Sequence, residues 1–118
     1  LRKISLAEGR LLYLPDRTGS KVYVSGQTGA DLLDIFEATP QQFELTPQML
    51  PPPYQSAVIV PLISGLAHKL PLAEYPRHGV IVVAKTTADG FDPLADLPAL
   101  RIIGDNLAAV LKFNNLSL

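Results

Sequence analysis

The amino-acid sequence predicts an α+β domain, a central antiparallel β-sheet flanked by helices. Three observations lead there. Short runs rich in Leu, Tyr and Val are separated by turn residues near the start of the chain. Two longer apolar runs, Ala57 to Ile63 and Val80 to Ala84, have the length of buried strands. A long stretch near the end repeats its apolar residues at helical spacing.

Arg10 to Pro15 and Lys21 to Ser25 are strand-like, and Asp16-Arg17-Thr18-Gly19-Ser20 between them is turn chemistry, so the pair reads as a hairpin. Thr28 is placed to cap a short helix running to about Ala38, with Asp31 favourable in its first turn and Leu32, Ile35 and Phe36 on its apolar face. Thr39-Pro40 ends it. Asp31, Asp34 and Glu37 would form an acidic face, read most simply as solvated.

Residues 39 to 55 hold five of the eleven prolines, including Pro51-Pro52-Pro53. A stretch without these N–H groups is stiff and extended and suits a loop packed over the sheet better than a ladder strand. Recognition by a PxxP-reading partner is the less favoured reading. Ser56 to Ser64 is a buried strand, Gly65 to His78 a second Pro-interrupted connection, and Gly79 to Lys85 another strand. The two strands read as an elaborated antiparallel hairpin.

The last helix is the clearest element. Asp96 is expected to cap it, Pro98 to lie in its permissive first turn, and it should run to about Phe113 before Asn114-Asn115. Leu100, Ile103, Leu107 and Leu111 make one stripe. Ile102, Asn106, Ala109 and Phe113 make a second on another face. One stripe docks a helix on its own sheet, and the second calls for another cover. A chain of 118 residues has little material to supply that cover, so a homodimer interface through this second stripe is favoured over a helix sandwiched within its own domain.

Composition bounds the function. With 47% apolar and 18% charged residues, the chain is globular rather than disordered, and residues 1 to 118 read as one domain. Ten basic against eleven acidic residues, with no basic cluster, argue against a nucleic-acid partner. The absence of cysteine excludes disulfides, cysteine-ligated iron–sulfur clusters and thioether-attached pigments. No apolar run approaches the roughly 18 residues of a membrane span. The start, Leu1 to Leu6, is too short in its apolar part for a signal peptide. A chain beginning at Leu reads as a fragment of a longer, cytoplasmic protein.

From Ser56 onward the order of elements resembles a GAF domain, the small-molecule-sensing relative of the PAS fold. Ser56-Ala57-Val58-Ile59-Val60-Pro61-Leu62 is similar to the family's strand ending in Pro-Leu. Gly79-Val80-Ile81-Val82-Val83-Ala84 is similar to its next core strand, and Phe91-Asp92-Pro93 followed by Asp96-Leu97 to its lead into the last helix. Together these segments span about half the chain. Two features depart from the family: the N-terminal helix is missing or reduced to residues 1 to 9, and the connection at 65 to 78 exceeds a tight hairpin.

The resemblance implies a GAF/PAS-like sheet with helices on one face and a pocket on the other. It also implies a place in a signalling protein, such as a sensor histidine kinase of a two-component system. There the terminal helices pair in a homodimer and pass strain to an output domain of the same chain. Another PAS-like sensor fold would keep most of this reading. Lys85, Phe91 and Asp96 match the cyclic-nucleotide-binding members in type, but Ala84 and Leu97 replace their Asn and Glu. Lys85 with Asp96 reads instead as a structural ion pair. Covalent bilin is excluded with cysteine, and the cofactor, if there is one, is unknown.

Candidate site residues follow. Phe36, Phe43 and Tyr54 border the Pro-rich segment that the family places over its pocket, where they either line a small-molecule site or plug it. His68 and His78 both fall in the second Pro-interrupted connection, without a second ligand at metal spacing, and read as solvated loop residues. Ser25-Gly26-Gln27-Thr28-Gly29 can present free N–H groups to an anion, though it lacks a phosphate-loop Lys and reads first as a plain turn with a cap. No Gly-x-Ser-x-Gly, HExxH or Walker-type motif is present, so the domain is not expected to be an enzyme. Two functions remain: a ligand-responsive sensor, or a ligand-free dimerisation module with a filled pocket.

Overall fold

The computed structural model describes residues 9–17, 21–25, 35–38, 50–63 and 77–113. They form five strands and a helix: β1 (Leu12–Leu14), β2 (Val22–Val24), β3 (Phe36–Ala38), β4 (Ser56–Ile63), β5 (Arg77–Lys85) and α1 (Pro93–Phe113). The strands make one sheet in the order β3-β2-β1-β4-β5. Every neighbouring pair is antiparallel. The α+β class, the first hairpin and the antiparallel pairing of β4 with β5 all follow the sequence pattern.

The apolar runs become strands because both faces of the sheet are buried at β1, β2 and β4. On one face Leu11, Tyr13, Val58 and Val60 pack with Phe91 and Leu97. Further along, Leu62 meets Ala108 and Leu111 of the helix. On the other, Leu12, Leu14, Val22, Val24, Ala38 and Ile59 cluster together. A strand buried on both sides has no polar alternation, which is why β4 reads as an unbroken apolar run. β5 is covered less completely, and Val80 and Val82 are exposed on the face away from the helix. The ladder between β4 and β5 slips at Leu62/Ile63. Gly79, opposite Leu62, has φ 124°, a conformation that side-chain-bearing residues rarely adopt.

The helix expected from Thr28 to Ala38 is corrected at its end. Residues 36–38 are a strand, paired to β2 in the register Val22↔Ala38, Tyr23↔Glu37 and Val24↔Phe36. Pairing satisfies the backbone groups along the outer side of β2, and it outweighs the helical preference of these last three residues. Residues 28–34 lie outside the described set, as do Leu1–Glu8, Phe43, His68 and most of both Pro-rich connections. Of the first connection, Leu50 is buried, while Pro51, Pro52, Pro53 and Tyr54 are exposed. His78 belongs to β5 rather than to the connection before it, because β5 starts two residues earlier than expected.

The start of α1 is also corrected. Asp92, not Asp96, is the cap: its Oδ1 accepts the Leu94 N–H at 3.1 Å and its carbonyl accepts the Asp96 N–H at 2.7 Å. Asp96 reaches back, its Oδ2 accepting the Asp92 N–H at 2.7 Å, a reciprocal arrangement like a capping box. Pro98 therefore lies beyond the first turn. Its missing N–H leaves the Leu94 carbonyl without its usual helical donor, at a residue exposed enough for water to serve. Asp92→Ala should lower stability by about 1 kcal/mol, read as a shift of the urea midpoint at unchanged slope. An unchanged midpoint would show that Asp96 caps alone.

The helix docks along a line shifted by one residue from the expected stripe. Leu97, Arg101, Gly104, Ala108 and Leu111 are buried, Leu100 and Leu107 are half-buried, and Ile103 is 59% exposed. The cause is Gly104, where a Cβ would stand 2.6 Å from Val60 Cγ1. Small residues at 104 and 108 let the helix axis approach β4 closely, so the large side chains flank the contact instead of filling it. No helix of the described residues is long and apolar enough to cross a membrane.

Candidate functional site

Ser25 directly follows β2 and is 3% exposed. Its backbone continues the hairpin, its N–H donating to the Leu11 carbonyl at 3.0 Å, while its Oγ accepts the Leu11 N–H at 2.9 Å. Two arginines then meet it. Arg101, from the buried side of α1, donates from Nη2 to Ser25 Oγ at 3.1 Å. Arg10, just before β1, donates from Nη1 to the Ser25 carbonyl at 3.0 Å. The Arg10 guanidinium also lies 5.5 Å from the centre of the Phe36 ring.

Burial gives this cluster its electrostatic character. Arg101 is 5% exposed, and loss of hydration pulls its guanidinium below the usual range. Arg10 nearby pulls in the same direction, while Asp105, one turn along α1, supports the charge. The sequence singled out the run beginning at Ser25, but not the arginines. Arg101 was hidden because it interrupts an apolar helix face, where a charged residue reads as the edge of the solvated side. Its only sequence signal is its spacing of four from Leu97 and three from Gly104.

Of the expected pocket residues, the two that are described, Phe36 and Tyr54, do not come together. Phe36 pairs with Val24, which pairs with Leu12, at the end of the sheet near Ser25. Tyr54 precedes Gln55, whose carbonyl accepts the Arg17 N–H beyond the other end of β1. Phe36 is 37% exposed and Tyr54 39%, so neither is a buried plug. Phe43 lies outside the described residues.

A second polar cluster is structural. Ser56 Oγ donates to the Thr87 carbonyl at 2.7 Å and accepts the Gly90 N–H at 3.3 Å. Lys85 donates to the Gly90 carbonyl at 2.7 Å and stands 4.7 Å from the Phe91 ring centre. Lys85 and Asp96, expected as an ion pair, have these separate partners instead. Asp89, at φ 52°, turns the chain within this loop and donates its N–H to the Pro15 carbonyl at 2.7 Å.

On α1, Ile102 is 53% exposed, and Asn106 and Ala109 are exposed beside it. The Phe113 side chain is outside the described set. Among the described residues, no group of three or more His, Cys, Asp or Glu is placed to hold a metal ion. No protein-family model, no curated protein and no solved structure matches the chain.

Proposed function

We infer that this chain is a cytoplasmic sensory or regulatory domain of GAF/PAS-like fold, part of a signalling protein such as a sensor histidine kinase. It works as a homodimer through α1 and relays a small-molecule signal along that helix to an output domain of the same chain. The observation that carries the reading is the outer face of α1. Ala95, Ala99, Ile102, Asn106 and Ala109 are all exposed and follow one another at steps of four, three, four and three residues. That is the seam spacing of paired helices, and a single Asn within such a seam fixes register at some expense of stability. Ile103 and Val110, 59% and 54% exposed, widen the apolar strip, and no charge falls on it.

The inner side of the helix supplies the relay. Arg101 is bonded to Ser25 and adjoins Ile102, so a change at Ser25 is felt one residue from the seam. The GAF/PAS-like reading draws its support from the antiparallel sheet with the last helix packed across it. The second reading, a ligand-free dimerisation module, is favoured by the separation of Phe36, on the edge strand β3, from Tyr54, before β4.

Sedimentation over a range of concentrations tests the dimer. A helix of 21 residues is about 31 Å long. Such a contact falls in the small interface class, so association should be reversible and concentration-dependent. Ala109→Glu should shift the population to monomer without loss of folding, since the residue is exposed in the single copy and a charge there is desolvated only on pairing. A wild-type chain that stays monomeric, or a dimer indifferent to the substitution, would sink the α1 interface. Native mass spectrometry separates the two readings: a dimer with extra bound mass supports the sensor, and a bare dimer the structural module.

A further inference from the structure

The two edges of the sheet are built differently. β3 is three residues long and carries the exposed Glu37 at its centre. β5 is nine residues long, pairs with β4 on one side, and carries no charge from Gly79 to Ala84. Among the described residues, no strand lies on its other side. A long apolar edge is a template for a further strand, which short or charged edges discourage. We propose that β5 pairs antiparallel with β5 of a second copy, Val82 of one against Val82 of the other. The contact is distinct from the α1 seam and does not depend on it.

Three observations commit this edge to a second copy. The first is register. The ladder with β4 slips at Leu62/Ile63 and leaves His78 unmatched, so the regular part of β5 runs from Gly79 to Lys85. Its middle residue is Val82, and a two-fold axis there closes the pairing on itself. Val82 then meets Val82, Ile81 meets Val83 and Val80 meets Ala84, each pair apolar and on one face of the sheet. Lys85 falls opposite Gly79, its ammonium held by the Gly90 carbonyl at 2.7 Å, and Arg77 lies beyond the paired run, so no like charges stand opposed. The second is exposure. Val80 and Val82 are 44% and 52% exposed, whereas Pro61 and Ile59, their neighbours on β4, are buried. The apolar layer on that face stops short at β5, and a second β5 continues it. The third is the helix. Arg101 reaches Ser25 on the β2 side, and Ile103, about 200° further round α1, is turned to the β5 side and left exposed. A strand added to β5 runs beneath it. Seven paired residues make a contact about 23 Å long, a small interface that forms reversibly. Together with the α1 seam, a second two-fold contact assembles the chain beyond a dimer.

The chain has no cysteine, so a single introduced thiol reports the register. Val82→Cys sets two thiols opposite each other, within reach of a disulfide, and should give covalent dimers under oxidised glutathione. Val80→Cys, exposed on the same face, leaves its two thiols roughly 13 Å apart and should stay unlinked. Equal linking of the two variants, or none by Val82→Cys, would overturn the pairing. Sedimentation keeps it apart from the α1 seam. In Ala109→Glu a concentration-dependent dimer should persist, and adding Val82→Lys, which opposes two like charges at the axis, should weaken it about tenfold. Ala109→Glu that is monomeric up to millimolar concentration removes the β5 contact and leaves the α1 seam standing. A persisting dimer indifferent to Val82→Lys also removes the β5 contact. So does a lowered thermal midpoint of the monomer in Val82→Lys, since the edge would then be covered within one copy.

Discussion

Gly104→Val is expected to be the most disruptive single change in α1, lowering the free energy of unfolding by about 3 kcal/mol. At this position a Cβ meets Val60 Cγ1 at 2.6 Å, well inside contact distance. Val60 is β-branched, 3% exposed and held in the middle of β4, so it has one stiff rotamer and no free space to turn into. The helix must lift, and lifting it opens the contacts of Leu97, Ala108 and Leu111 with the sheet together. Gly104→Ala is the instructive companion. Alanine gains about 1 kcal/mol of helix propensity over glycine, which offsets part of the clash. Combining Gly104→Ala with Val60→Ala should recover stability relative to either change alone, because the pair shares one space. Additive losses in chemical denaturation would show that α1 does not approach β4 as closely as the geometry requires.

This glycine also explains where the sequence was legible and where it was not. β1, β2 and β4 are readable because burial on both faces demands apolar side chains, whatever the partner strand, and β5 from its apolar run, although Val80 and Val82 stay exposed. The length of α1 is readable from its periodicity. Its rotation is not, because Leu100, Ile103, Leu107 and Leu111 form a more apolar line than the face that docks. Close approach selected Gly104 and Ala108 over bulk, and only the presence of β4 beneath them makes small residues preferable. β3 was illegible for a related reason: three residues, Phe36-Glu37-Ala38, carry no period, and their state is set by the edge of β2. Long-range pairing decides such a segment, not local preference.

The candidate site was half legible. The run starting at Ser25 is visible as turn and anion chemistry, and the exposed stripe of Ile102, Asn106 and Ala109 is visible as spacing. What joins them is Arg101, whose significance depends on burial and on the meeting of β2 with α1. Charge at a helix position is ordinarily solvated, and nothing in the local sequence marks this residue as an exception. The aromatic residues mislead in the opposite way. Phe36 and Tyr54 are separated by a Pro-rich segment that suggests a shared cover, yet the register sets Phe36 level with Val24, Leu12 and Ile59, while Tyr54 lies before β4, beyond the Leu14 end of β1.

The second large effect is expected at Tyr13, where β1 and the lead into α1 meet. Its side chain is 1% exposed, stacked on Tyr23 at 5.8 Å and edge-on to Phe91 at 5.7 Å. The Phe91 N–H donates to the Tyr13 hydroxyl at 3.3 Å, across 78 residues of chain. Tyr13→Ala removes the packing and that acceptor together and should destabilise by about 4 kcal/mol. Tyr13→Phe keeps the ring and leaves the Phe91 N–H without its acceptor, so a smaller loss of about 1–2 kcal/mol is expected. The phenol also predicts a pH dependence. Burial, helped by the negative charges of Asp89 and Asp96, pushes its ionisation above the ordinary value of 10.0, although the bond from the Phe91 N–H pulls the other way. The folded state therefore holds this proton more tightly than the unfolded one. The stabilisation is complete below the unfolded value near 10 and is lost as pH rises through the folded value. Alkaline unfolding should accordingly be steeper for wild type than for Tyr13→Phe. Parallel stability curves between pH 9 and 11 for the two proteins, once offset for the lost hydrogen bond, would mean that Tyr13 ionises no less readily in the fold than outside it.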